Sequence, residues 1–147
     1  MKYTEANLGR IFILRLEEGD QIPRTIEKFA KDKNINSATV LFIGGAKKDS
    51  KIVVGPKDCE ADKPVAIVED LLNTSETIGV GTIFTNEETE PRLHLHASFG
   101  SHKGVVTGCT RQGVDIWLVG EVVILEMINH SGTRKVDASS GFELLEV

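Results

Sequence analysis

Only one stretch of this 147-residue chain carries its apolar residues at helical spacing, and that scarcity narrows the fold more than any other feature. Ile22, Ile26, Phe29 and Ala30 fall three or four apart, Pro23 suits a first turn, and Asp20 can cap it. The pattern predicts an amphipathic helix over about residues 22–33 that packs on a sheet. No second long helix is visible, so strands must bury most of the remaining apolar residues.

Those strands read as short branched or aromatic runs bounded by turn residues. Residues 10–16 form the first, closed by Glu17-Glu18-Gly19. Residues 38–43 form the next, ending at Gly44-Gly45, and with the helix between them they make a β-α-β unit. Further strands are expected at 51–54, 65–72, 76–84, 93–99, 105–110 and 114–125, with a last one at 142–145 after the turn Asp137-Ala138-Ser139-Ser140-Gly141. One helix against many short strands predicts a single α+β domain over residues 1–147, with a largely antiparallel, barrel-like sheet. So many hairpins with little helix to cover them leave apolar faces or edges open, which predicts oligomerisation.

No run is long and apolar enough for a membrane span, and Met1-Lys2-Tyr3-Thr4-Glu5 lacks a signal-peptide core, so a cytoplasmic protein is expected. Cys59 and Cys109 lie far apart without CxxC spacing, which fits reduced thiols; either can still bind metal. The formal charge of −5 opposes nucleic-acid binding, which rests on clustered Lys and Arg. Lys47-Lys48, with Lys51 nearby, is the densest basic patch: a solvated turn, or a phosphate contact.

The richest segment for chemistry is Leu93-His94-Leu95-His96-Ala97-Ser98. Strand alternation puts His94, His96 and Ser98 on one face and Leu93, Leu95 and Ala97 on the other. Residues two apart on a strand are about 7 Å apart at Cα, from which two imidazoles can converge on one metal ion. The same pair could instead be satisfied by ordinary hydrogen bonds. A third ligand could be His102, in the turn at 100–104, or Cys109. A hairpin centred near 101–103 brings Cys109 level with residues near 96, which favours Cys109 and leaves His102 at the solvated tip.

Imidazole and thiolate suit Zn²⁺, and three protein ligands plus water is the pattern of a catalytic zinc site. Glu121, entering an apolar strand, is a candidate fourth ligand, partner to an imidazole, or general base; it reads equally as a surface glutamate. His130 belongs to a loop, and Trp117 to the core or a subunit interface. Gly79 and Gly81 make no dinucleotide fingerprint, because a strand continues after them; Walker and nucleophile-elbow motifs are missing.

Taken together, Gly9-Arg10, Phe42-Ile43-Gly44-Gly45, the run from Ser75 to Ile83, Leu93 to Ser98, Gly104 to Gly108 and Gly120 to Ile124 resemble, in order, the plant- and prokaryote-conserved (PPC) domain. The resemblance spans nearly the whole chain. It implies a homotrimer and a metal held by the paired histidines and a third histidine after the glycine matching Gly108, where this chain has Cys109. Zinc-dependent acetolactate decarboxylases are more distantly similar in fold and ligand pattern. Prokaryotic members are often labelled predicted DNA-binding proteins with a PD1-like motif. Plant members carry AT-hooks that this chain lacks, and Asn73 to Ile78 departs from the plant partner-binding stretch except at Glu76.

Three functions follow as expectations. The first is a metal-binding homotrimer, an interaction or regulatory module with protein partners as a further expectation, and with His94, His96 and Cys109 as ligands of Zn²⁺. The second is a zinc lyase or hydrolase acting on a small oxygenated substrate, with Glu121 handling protons. The third is DNA binding through an oligomeric surface that uses Lys47, Lys48, Lys51 and Arg92.

Overall fold

In the computed structural model, which describes residues 1–61 and 63–147, β1 (Asn7–Glu17) leads through the short β2 (Gln21–Ile22) into α1 (Arg24–Asp32) and back into β3 (Ser37–Ala46). There follow β4 (Lys51–Pro56), β5 (Ala66–Asp70), β6 (Ser75–Thr85), β7 (Pro91–Ser101), β8 (Gly104–Cys109) and β9 (Val114–Ile128). β10 (Thr133–Val136) and β11 (Glu143–Glu146) close the chain as a separate hairpin. Every pairing is antiparallel, in the order β1-β9-β3-β6-β7-β8-β4-β5, with β2 beside β9. The α+β expectation holds, but the sheet is open rather than barrel-like. Its two ends are β1 and the five-residue β5, and they do not pair with each other.

The predicted β-α-β unit is split. β9 arrives from far along the chain and lies between β1 and β3, antiparallel to both. The helix also begins later than its apolar spacing suggests, because Ile22 is spent on a bridge to Val114. Asp20 does not cap it: its carboxylate accepts the Glu17 N–H at 2.9 Å and the Thr25 hydroxyl at 3.3 Å, closing the preceding turn instead. At the other end Asn34 turns left-handed and the Ile35 N–H returns to the Ala30 carbonyl at 2.8 Å, which stops the helix.

Alternation gives the sheet two unlike faces. On one, Leu16, Phe42, Leu95, Phe99, Val122 and Ile124 form the core, with Ile26 and Ala30 of α1 packed over it and Phe29 meeting Phe12 edge-on at 5.5 Å. The other face has no helix among the described residues. β3 follows β9 through a bend because Gly44 and Gly45 lack side chains: a Cβ there would stand 2.5 Å from the Val119 carbonyl and 2.4 Å from that of Trp117. The register shifts at this point, and Trp117 is left half-exposed above the bend. No helix among the described residues is long and apolar enough to cross a membrane.

Gly9-Arg10 has a structural explanation. A Cβ on Gly9 would sit 2.8 Å from the Glu126 carboxylate, so glycine leaves room for that side chain. The carboxylate then accepts the Arg10 backbone N–H at 2.9 Å and its guanidinium at 2.7 and 2.6 Å, which holds its pKa below the usual carboxylate range. Glu126→Ala removes the acceptor of three donors and should lower the urea midpoint measurably. A loss within experimental error would mean that water satisfies Arg10 equally well.

Candidate metal centre

The burial of Leu93, Leu95 and Ala97 in the core turns the alternate residues of β7, His94 and His96, onto the open face. Their Nε2 atoms are 3.0 Å apart. The β7–β8 hairpin pairs His96 with Cys109, as its turn length predicts, and so brings the thiol to the same face. One donor atom from each of His94, His96 and Cys109 lies within 4.8 Å of the others.

That spacing suits a metal. Two nitrogens on a tetrahedral zinc with bonds near 2.0 Å are about 3.3 Å apart, so a small side-chain rotation would seat an ion. A pair of imidazoles with a thiol is also the donor chemistry a borderline-soft cation accepts. His94 is pushed below its ordinary pKa, first by burial and then by His96, Arg134 and Arg111, so at neutral pH it is uncharged and able to ligate. Gly108 helps place the thiol. A Cβ there would meet the Val53 carbonyl at 2.7 Å, so glycine lets β4 close on β8 at the step before Cys109.

Two arginines flank the cluster, and sequence reasoning missed both roles. Arg134, on β10, is buried; it donates to the Thr82 hydroxyl at 3.3 Å, and Thr82 pairs with His94. Arg111 follows Cys109 in a 3₁₀ turn (Thr110–Gln112), with its guanidinium 5.3 Å above the Phe142 ring. Neither has an ion-pair partner among the described residues. Beside the cluster opens a cavity of about 350 Å³, lined by apolar residues of β4 and β5 together with His96, Thr107, Cys109, Arg111 and Phe142. The Asp137 turn that delivers Phe142 is tied by the Ser139 and Ser140 hydroxyls, which hold the Asp137 carboxyl down to about 2.

Within one chain Glu121 is not brought to the cluster. It lies on the same open face, but β3 and β6 separate its strand from β7, a span of about 14 Å at ordinary strand spacing. There it lines a different cavity with Glu76. His102 is exposed in the β7–β8 turn. His130 is a structural loop residue: its Nδ1 accepts the Gly132 N–H at 2.9 Å and its Nε2 meets the Ser37 hydroxyl. Cys59 is exposed and unpaired. Three of the four basic residues considered for phosphate contact face carboxylates: Lys47 meets Glu18 at 2.8 Å, Lys51 meets Asp70 at 2.6 Å and Arg92 meets Glu143 at 3.7 Å.

Fold and cluster together define a class: an α+β domain with one open sheet and a His-His-Cys donor set on its uncovered face. The match to the family model of the Plants and Prokaryotes Conserved (PCC) domain over residues 3–128 makes the family specific, and the chain belongs to it. Two solved structures are similar over the full length of this chain. A metal-containing protein from Archaeoglobus fulgidus is 26% identical, with a TM-score of 0.83 and 100% of its own chain covered. A plant- and prokaryote-conserved (PPC) protein from Pyrococcus horikoshii is 27% identical, with a TM-score of 0.85 and 98% of its chain covered. A protein from Bacteroides thetaiotaomicron proposed to bind DNA is 16% identical, with 96% of each chain covered and a TM-score of 0.77, and shares the fold alone. Among curated proteins none matches.

Proposed function

We infer that this chain is a metal-binding module that holds Zn²⁺ through His94, His96 and Cys109 and works as a homotrimer in an interaction or regulatory role. The convergence of three donor atoms within 4.8 Å carries the reading. The metal-containing protein similar to this chain supports it. Zinc held by three protein ligands keeps a fourth position for an exogenous ligand and supplies Lewis acidity there.

Assembly is supported by the composition of the open face. Strand register lines up Ile13, Val123, Leu41 and Val80 in one row that ends at His96 and Cys109. Ile13, Leu41 and Val80 are substantially exposed, as are Ile11, Ile43 and Ile78 in the flanking rows. An apolar surface of this extent on one sheet face is what a subunit contact covers. Ile13→Asp with Val80→Asp should convert the trimer into folded monomers, read by sedimentation beside circular dichroism. A native protein that already sediments as a monomer would sink the assembly.

The cavity beside the cluster favours a second reading, a zinc lyase or hydrolase for a small oxygenated substrate. Its described lining includes no carboxylate to serve as a general base, so ligand binding has the stronger support. DNA binding has the least, given the acidic chain and the paired basic residues. Metal analysis and native mass spectrometry on the same preparation test the first reading. One zinc per chain in a particle three times the chain mass is expected; a metal-free particle would leave the histidines as polar surface residues.

A further inference from the structure

The cavity next to the cluster combines features that select one kind of occupant. Val53, Val54, Pro56, Pro64 and Ala66 make its walls apolar, and Arg111 and the His96–Cys109 edge supply its polar end. Its volume of about 350 Å³ is at the small end of ligand pockets. No acidic residue lines it among the described residues. Arg111 is exposed at the cavity mouth, has no carboxylate partner among the described residues, and its guanidinium lies over the Phe142 ring, so a charge-seeking fork stands at the cavity.

Arg134 adds a second cation on the far side of the histidines. It is 5% exposed and its Nε hydrogen finds no acceptor among the described residues. Phosphoryl groups normally meet several donors, whereas one guanidinium above an apolar hollow matches a single carboxylate on a short aliphatic body.

We propose that this cavity binds a small aliphatic monocarboxylate, its carboxylate on Arg111 at the His96–Cys109 edge and its apolar body against the β4–β5 wall and Phe142. This rests on the metal-binding reading only in placing the carboxylate beside the ion; Arg111 and the apolar wall act without it. Phe142 alone of the cavity lining comes from beyond residue 128, where the family match ends.

The test is calorimetric titration of zinc-loaded protein with isovalerate, isovaleramide and inorganic phosphate, with zinc content measured on each sample. Isovalerate should bind at least tenfold more tightly than either competitor. Arg111→Gln should weaken it roughly tenfold to a hundredfold, with Arg111→Lys between, while zinc content is unchanged. Phe142→Ala should weaken it as well, by freeing the guanidinium and removing a wall. Amide binding equal to acid, phosphate binding tighter than acid, or an Arg111→Gln variant that binds as the parent does would overturn the proposal, with zinc retained and the metal reading intact. Protein that holds no zinc yet binds isovalerate through Arg111 would support the carboxylate site and overturn only the metal reading. Loss of both overturns both.

Discussion

Replacing His94 and His96 together by alanine should give a folded protein whose zinc falls from near one ion per chain to near none. Both imidazoles stand on the open face of β7, while the residues that anchor that strand, Leu93, Leu95 and Ala97, point the other way into the core. The substitution therefore removes donors and leaves packing alone. One thiolate remains, and a single ligand cannot retain the ion against buffer and chelator. An ion that binds only the folded chain stabilises it, so added zinc should raise the melting temperature of the parent and not of the variant.

Cobalt substitution assigns the third ligand. The parent should show a thiolate-to-cobalt charge-transfer band that Cys109→Ser abolishes and His102→Ala leaves unchanged. A double-histidine variant that keeps its zinc would move the site elsewhere on the chain.

Phe42→Ala should be the most damaging single change to the fold, costing about 3–5 kcal/mol of a total that for such domains is about 5–15 kcal/mol. Phe42 is 2% exposed at the middle of β3, between Gly79 of β6 and Val122 of β9. Its ring fills the space that Gly120 leaves open, where an added Cβ would lie 2.8 Å from Cε2. Truncation removes the ring from the strand that joins the β1–β9 half of the sheet to the half that carries the histidines. Urea unfolding should show the midpoint falling steeply, with parent and variant compared at one protein concentration so that self-association weighs equally on both. A loss under about 1 kcal/mol would mean that the neighbouring side chains collapse into the gap.

Most strands and the face each presents were legible because alternation is local: one residue's neighbours two positions away are fixed by the geometry of an extended chain. The pairing of His96 with Cys109 was legible for the same reason, since a short hairpin turn sets its own register. Those two local rules were enough to collect His94, His96 and Cys109, and to leave His102 at the turn. β10 was not visible, because Thr133–Val136 is four residues without alternation, held by its partner β11.

What only the tertiary structure decided is long-range. Sequence proximity made β1 and β3 look like neighbours, yet β9 inserts between them, because there both edges of a 15-residue strand are hydrogen-bonded while its apolar face joins the core. The same insertion carries Glu121 three strands away from the histidines and aims Glu126 at Arg10. Arg134 and Phe142 reach the cluster through a hairpin folded back from the chain's end, and no spacing in the sequence encodes that approach. The sequence by itself determined which side chains share a strand face; which strands, and therefore which charges, come to stand beside them depended on the burial of apolar surface across the whole chain.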